Sequence, residues 1–243
     1  MNTGRTYFVA DLHLTDERPA ATGRFFRFLE EEAAGADALY ILGDLFEAWI
    51  GDDHDEAVAR DTARRLKALS AAGTPVYFLH GNRDFMLAGR YAAAAGMTLI
   101  ADPAVIDLYG TPTLLMHGDT LCRDDVDYQA FRRRVRRPLV LALLRRLPFA
   151  LRKRLARQAR AGSESAKAGK TAEIMDVNAA AVAEAFRAHG VRRLIHGHTH
   201  RPGRHALLVD GSACERWVAP DWYARWGYVA CDATGCTLQT TPL

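Results

Sequence analysis

The 243-residue chain has no run of about 18 apolar residues, so no membrane-spanning helix is expected. Its first residues, MNTGRTYFVADLHL, lack a long apolar h-region, and no secretory signal is expected. Cysteine is scarce. The four, Cys122, Cys214, Cys231 and Cys236, match no zinc-binding spacing and are expected to be reduced thiols of a cytoplasmic protein. Acidic residues are absent from 132–160, RRRVRRPLVLALLRRLPFALRKRLARQAR, which holds twelve Arg and Lys. The whole chain has 32 basic and 29 acidic residues for a formal charge of +3, so outside this stretch 20 basic residues face 29 acidic ones. The basicity is therefore local, suited to binding anions or an anionic membrane surface. With 49% hydrophobic residues the chain suits a globular protein with one substantial core, or one domain plus an insertion, and disorder is excluded as its overall class.

Short apolar runs alternate with helical periodicity through the first half. RTYFVA (5–10), DALYILG (37–43) and TPVYFLHG (74–81) read as strands, separated by helical patterns over 22–35 and 56–73, with a short helix expected over 84–95. MTLI, AVIDLYG and TPTLLMHG follow as closely spaced strands that suit a second, partly antiparallel sheet. This alternation predicts a layered α/β fold. The basic amphipathic stretch comes next, broken at Pro138 and Pro148, then a polar segment, a helix over 174–190 and the strand of VRRLIHGHTHRPG. The last forty residues read as short strands rich in aromatic residues.

One unit recurs. Apolar runs end in ADLH (10–13), GDLF (43–46), HGNRD (80–84), HGDT (117–120) and HGHTH (196–200). In open α/β sheets, ligands bind beyond the carboxyl ends of the strands, so these turns are expected to share one rim. Taken singly, Asp11 could cap a helix, Asn82 could shape a turn and His117 could be a hydrogen-bonded core histidine. Taken together they supply carboxylates, an amide oxygen and several imidazoles. That mixed set suits Mn²⁺, Fe²⁺ or Zn²⁺ better than Mg²⁺ or a thiolate site, and it exceeds what one ion needs. Ser163 and Ser165 have no matching His/Asp partner, which argues against a serine nucleophile.

DLH, GDLFEAWIGDD, GNRD, HGD and GHTHRP, in this order, resemble the calcineurin-like metallophosphoesterase superfamily. Longer strings, among them DALYILGDLFEAWIGDD, FLHGNRDFML, LMHGDTLCRDDVDYQAFR, AEIMDVN and LIHGHTHRP, are similar to the branch of that superfamily that hydrolyses UDP-2,3-diacylglucosamine in Gram-negative lipid A synthesis. The resemblance runs over residues 5 to 210, while ACERWVAPDWYARWGYVACD (213–232) matches loosely.

The resemblance implies two packed, mostly mixed β sheets flanked by helices, with 1–243 as a single domain and a helical lid inserted at 122–170. It implies two Mn²⁺ ions per chain, one held by Asp11, His13, Asp44 and His200 and the other by Asp44, Asn82, His117 and His198. Asp44 would bridge them. It further implies attack on the α-phosphorus by a metal-bridged hydroxide, giving UMP and 2,3-diacylglucosamine 1-phosphate (lipid X), with no side-chain nucleophile. Asn82, Arg83, Asp125, Ser163, Lys167, Lys170 and His198 would contact the substrate, Arg83 as a bidentate phosphate clamp. His196 and His80 are expected behind the ligands or in a structural role, and Asp52 and Asp53 as loop or helix-start groups. Leu, Val and Phe beside Arg clusters in the lid would serve acyl chains and the anionic cytoplasmic face of the inner membrane, where the protein is expected to be peripheral. Charge alone would also allow nucleic acid. The Leu-rich interleaving, without an aromatic stacking pattern, argues against it, and no obligate protein partner is expected.

Overall fold

The computed structural model describes residues 4–168, 176–223 and 225–243. In chain order the elements begin with β1 (Thr6–Val9), α1 (Pro19–Glu31), β2 (Ala38–Ile41), α2 (Ala57–Ala71), β3 (Val76–Phe78), α3 (Gly89–Ala94) and β4 (Met97–Leu99). A hairpin of β5 (Ala104–Leu108) and β6 (Thr111–Leu115) precedes three consecutive helices, α4 (Val126–Val135), α5 (Pro138–Arg146) and α6 (Phe149–Ala168). The chain closes with α7 (Ala179–His189), β7 (Arg193–His196), β8 (Gly203–Val209), β9 (Ser212–Val218), β10 (Arg225–Asp232) and β11 (Gly235–Pro242).

Two mixed sheets result. The first has the order β11-β10-β1-β2-β3-β4, and the second β5-β6-β7-β9-β8. Strands β1 to β4 run parallel and β10 joins β1 antiparallel. In the second sheet β6, β7 and β9 are parallel, while β5 and β8 are antiparallel edges. The alternation of side chains along a strand sorts each one between two cores. Phe8, Leu115 and Ile195 meet Leu42, Leu79, Trp217 and Val229 between the sheets. Their neighbours Tyr7 and Val9 face the core shared with α1, α2 and α3, and Leu114 and Leu194 face the one shared with α7. The layers are thus helix, sheet, sheet, helix, as the alternation of strand and helical patterns predicts.

The helices follow local rules. In α1, Ala21, Phe25, Phe28 and Leu29 form the buried stripe at helical spacing. The helix starts at Pro19, earlier than its periodicity suggests, because proline is tolerated in the first turn. The helix expected over 84–95 begins only at Gly89, since Leu87 N–H bonds back to Asp84 O at 2.9 Å and makes a turn of the preceding residues. Asn178 caps α7 by accepting from Ala181 N–H, so that helix starts later than the 174–190 pattern implies. The tail also departs from expectation. Its strands are seven or eight residues long, and β10 and β11 return to the first sheet. The cysteine expectation is corrected here. Cys231 and Cys236 are register partners in the β10–β11 hairpin with Cα atoms 4.0 Å apart, and they form a disulfide, while Cys122 and Cys214 are buried thiols outside it. A spacing of five residues carries no motif, and only the hairpin register brings the two together.

The basic segment divides between the two prolines as its sequence predicts, giving α4, α5 and α6. Its charge is not all outward. Arg132 donates to Asp119 at 2.7 Å and to Asp102 at 3.1 Å, and Arg136 donates to Gly81 O at 2.7 Å. Arg152, only 5% exposed, bonds Ile50 O, Leu147 O and the Asp53 carboxylate. These three arginines fasten the helices to the loops after β2, β3, β4 and β6. Arg133, Arg134, Arg137, Arg145, Arg146, Lys153, Arg154 and Arg157 remain exposed. Between them stand Leu139, 85% exposed, and Leu143, 62% exposed, one helical turn apart, while Leu141 and Leu144 pack against the first-sheet core. Among the described residues no helix is long and apolar enough to cross a membrane.

Arg152→Ala strands buried acceptors at Ile50 and Leu147. It is expected to lower the unfolding free energy by about 1–3 kcal/mol and to speed tryptic cleavage at the remaining basic residues of 133–157. Unchanged melting and cleavage would show that α6 is held by other contacts.

Candidate metal centre

All seven expected ligands follow the carboxyl ends of strands. Asp11 and His13 follow β1, Asp44 follows β2, Asn82 follows β3, His117 follows β6, and His198 and His200 follow β7. Both sheets therefore contribute to one rim. Five of these residues have left-handed backbone: Asp11 (φ 52°), His13 (48°), Asp44 (54°), His198 (70°) and His200 (55°). Non-glycine residues adopt this conformation at a cost of about 1–3 kcal/mol each, and they do so where surrounding structure or function requires it. Backbone bonds lock the turns together, with Asp11 N–H to Gly43 O at 3.2 Å and His13 N–H to Asp44 O at 2.9 Å. At Gly81 any Cβ would collide with the carboxylate and amide of Asp44, so only glycine lets the loop after β3 approach the loop after β2. Asp84, fully buried, spans the same two loops by accepting from Gly81 N–H at 2.8 Å and Leu45 N–H at 2.7 Å.

Asp44 lies at the middle of the side-chain geometry. Its Oδ2 is 3.7 Å from His13 Nε2 and its Oδ1 is 3.8 Å from His117 Nε2, while Oδ1 accepts from Arg83 N–H at 2.8 Å. Donor atoms of Asp11, His13 and His200 lie within 4.8 Å of one another, as do those of Asp11, Asp44 and His117. Asn82 Oδ1 is 2.9 Å from His117 Nε2 and 2.9 Å from His198 Nδ1. Asp11 Oδ2 accepts from His198 N–H at 2.6 Å, and its Oδ1 is 3.7 Å from His200 Nε2. Asp44 thus lies between His13 and His117, and Asp11 is shared by the two groups, one with His13 and His200 and the other with Asp44 and His117.

Several observations fit these groups to cations. Asp11 Oδ1 and both ring nitrogens of His13 are buried without hydrogen-bond partners, a condition that is unfavourable for polar atoms unless something positive reaches them. His117 Nδ1 sits 2.9 Å from Leu42 O, and a carbonyl can only accept, so that nitrogen carries the proton. A neutral ring would turn its Nε2 lone pair on Asn82 Oδ1, so the 2.9 Å approach calls for positive charge there, either a second ring proton or a cation. The electrostatics agree. Burial disfavours a charged His117, yet the carboxylates of Asp44, Asp119 and Asp11 outweigh it and push its pKa up to about 9. Burial likewise raises Asp11, but the nearby His200 imidazole and the charges of His117 and His13 hold its carboxyl well below the usual range.

Residues that the motifs do not single out surround the centre. Glu47 Oε2 lies 3.4 Å from His13 Nδ1 and accepts from Tyr223 O–H at 2.9 Å. The Tyr223 ring sits 4.8 Å from His13 and 5.5 Å from His200. Trp222 N–H donates to Asp11 O at 3.0 Å, and the Trp222 side chain is fully buried. The loosely matched tail therefore packs the core and crosses the edge of the site. Glu47 was legible as a carboxylate inside GDLFE, whereas nothing local marks Tyr223. Asp119 is buried beside His117, and its Oδ2 accepts from Tyr128 O–H as well as Arg132. Tyr128 in turn stacks over His198 at 6.2 Å, which places α4 over the rim.

The remaining candidates divide. Arg83 is half-buried directly after Asn82. Asp125 caps α4, accepting from Tyr128 N–H at 3.1 Å. Ser163 and Lys167 lie on α6, and Lys170 lies outside the described residues. Asp52 accepts from Ala88 and Tyr91 N–H, each at 2.9 Å, and so starts α3, in keeping with the helix-start reading. His80 bonds Leu87 O at 2.8 Å and is structural. His196 is fully buried, and desolvation followed by the neighbouring Arg216 charge pushes its pKa down to about 3.

The calcineurin-like phosphoesterase family matches residues 4–202. The chain is 51% identical over 237 residues to a UDP-2,3-diacylglucosamine hydrolase of Escherichia coli O7:K1, covering 98% of this chain and 99% of that protein. It is 49% identical to the protein of the same name from Enterobacter sp. (strain 638), over 98% and 99% of the two chains. It is 50% identical to the one from Edwardsiella ictaluri, over 98% and 92%. The solved structure of an archaeal phosphodiesterase is similar at a TM-score of 0.50 and 10% identity, covering 98% of this chain and 99% of that one, a likeness of fold alone. With near-complete coverage at half identity and a phosphoesterase match over most of its length, the chain is a member of the calcineurin-like phosphoesterase family and a metal-dependent hydrolase.

Proposed function

We propose that this chain hydrolyses the pyrophosphate of UDP-2,3-diacylglucosamine by attack of water on the α-phosphorus, releasing UMP and 2,3-diacylglucosamine 1-phosphate (lipid X). The observation that supports the reading is that seven polar side chains, Asp44 among them, follow strand ends of both sheets on one rim. The substrate comes from the name of the relatives that this chain matches at about half identity. The metals are two Mn²⁺ ions, which the mixed imidazole, amide and carboxylate donors suit.

Asp11, His13, Asp44 and His200 hold one ion, and Asp44, Asn82, His117 and His198 the other. A pair of divalent cations, when bound, supplies charge neutralisation at phosphorus and an acidified water for in-line attack. The chain does the rest. The shared Asp44 carboxylate keeps the two subsites at a set spacing. The Leu42 carbonyl holds the His117 proton on Nδ1 and so keeps Nε2 free to ligate. The Arg83 guanidinium, next to Asn82, clamps phosphate oxygens, and Asn82 and His198 contact the substrate as well as the metal. Asp125, Ser163, Lys167 and Lys170 bind the sugar and nucleoside end. The chain acts as a single domain with 122–170 as its lid. Leu139 and Leu143, flanked by exposed arginines, dock on the anionic cytoplasmic face of the inner membrane and admit the acyl chains. Nucleic acid and an obligate protein partner have no place in this reading.

With Mn²⁺ added, purified protein is expected to release UMP from the diacylated UDP-sugar and little from the unacylated sugar nucleotide. Robust cleavage of DNA or RNA with an inert lipid substrate would overturn the proposal. Replacing Leu139 and Leu143 by Ser is expected to reduce sedimentation with anionic vesicles and turnover of lipid substrate, and to spare cleavage of a small soluble phosphodiester; equal loss on both would refute the lid.

Mn²⁺ at about a hundred times its Kd should stabilise the fold by about 2.7 kcal/mol, seen as a rise in Tm. Asp44→Ala and His117→Ala should lose most of that rise and abolish turnover. Full activity in either variant would refute the dinuclear centre.

A further inference from the structure

His196 belongs to the same HGHTH turn as His198 and His200, yet neither of its nitrogens faces the metal centre. Its Nε2 lies 3.0 Å from Arg216 Nη1, and its Nδ1 lies 2.8 Å from Gly197 O. A guanidinium has only donors. Nε2 must therefore accept, the ring proton must sit on Nδ1, and Nδ1–H donates to the Gly197 carbonyl. That assignment comes from the partners: an arginine on one side and a carbonyl on the other leave a neutral imidazole no other tautomer.

The bonded carbonyl lies at the root of the ligand turn. Gly197 O also accepts from Thr199 N–H at 2.9 Å, and Gly197 N–H donates to His117 O at 2.9 Å. His198 and His200 follow immediately, both with left-handed backbone. The ring also fills the space toward the neighbouring loop, since a Cβ at Gly118 would come within 2.6 Å of His196 Nδ1. Gly118 follows His117, and Gly197 precedes His198. One imidazole thus separates the loops after β6 and β7, whose histidines flank Asn82 Oδ1 at 2.9 Å each. The backbone of His196 adds a third tie, its carbonyl accepting from Ala219 N–H at 2.8 Å.

We propose that Arg216 and His196 are a positioning pair. Arg216, on β9, selects the His196 tautomer that donates to Gly197 O, and this bond holds the turn that presents His198 and His200 to the cations. The proposal rests on the metal-centre reading above and adds to it a residue on a strand that supplies no ligand. It also explains why His196 is not a ligand: both of its nitrogens are committed to the protein. Arg216→Lys keeps a charged donor that can reach Nε2. Arg216→Met removes the donor and frees the ring to change tautomer.

The test combines three measurements on the full chain. Long-range ¹H–¹⁵N correlation spectra of histidine-labelled protein with Zn²⁺ bound are expected to show His196 as the Nδ1–H tautomer in wild type and Arg216→Lys, and as a mixture in Arg216→Met. Chelator competition with Mn²⁺ or Zn²⁺ is expected to show affinity falling about tenfold or more in Arg216→Met and much less in Arg216→Lys, in line with losses of partners behind metal ligands. Thermal melting without metal separates a loss of fold from a loss of ligand placement. A wild type that carries His196 as Nε2–H overturns the proposal even where Arg216→Met does not fold. So does an Arg216→Met that folds and binds both ions with unchanged affinity. A wild type that binds no cation removes the metal-centre reading instead, and the pair's role with it.

Discussion

The Asp44 carboxylate is 2% exposed at the end of a buried strand, between His13 on one side and His117 on the other. A carboxylate in that position is unfavourable unless positive charge is brought to it. Asp11 is buried nearby with one carboxylate oxygen that lacks a hydrogen-bond partner, as do both ring nitrogens of His13, whereas the buried Asp119 is met by Arg132. The unmet electrostatic demand of these groups is the constraint from which the rest of the architecture follows. It requires imidazoles from two directions, and so it requires two sheets whose strands end at the same level.

The sheets meet that requirement through their turns. Parallel strands β1, β2 and β3 bring Asp11, His13, Asp44 and Asn82 to one edge, and parallel β6 and β7 bring His117, His198 and His200 to the facing edge. The apolar layer between the sheets fixes how far apart these edges lie. The turns after β1, β2 and β7 then leave the ordinary backbone region at non-glycine residues, and Asp84 and His196 add side-chain bonds at the turns after β2, β3 and β7. Close packing makes such a site stiff. Its donors are arranged by bonds that have nothing to do with the ligand itself, which suits a centre that must keep its geometry while charge changes at the bound substrate.

Around this rigid rim lie elements of another character. Helices α4 and α5 have no fully buried side chain, and α4 to α6 rely on Arg132, Arg136 and Arg152, each reaching into the loops of the core. Arginine suits this use because its planar fork satisfies carbonyls and carboxylates together while its stem covers apolar surface. The same basic segment thus performs two tasks that charge counting cannot separate. A few arginines hold the helices down, and Arg133, Arg134, Arg137, Arg145, Arg146, Arg154 and Arg157, with Leu139 and Leu143, face outward.

The recurrence of strand, glycine and polar side chain was readable without coordinates, as were the layered α/β class and the breaks at Pro138 and Pro148. These depend on neighbours within a few positions, where spacing and backbone preference act directly. Tyr223 beside His13, the Arg216–His196 pair, the inward arginines and the Cys231–Cys236 disulfide were not readable. Each joins groups from separate strands or loops, or rests on hairpin register, and no local pattern encodes such a meeting. By itself, then, the sequence determined which side chains end the strands and what chemistry they could share. Only the tertiary structure decided which of them converge, on which nitrogen each imidazole keeps its proton, and which charges are spent inside, because those choices depend on partners that folding alone brings within bonding distance.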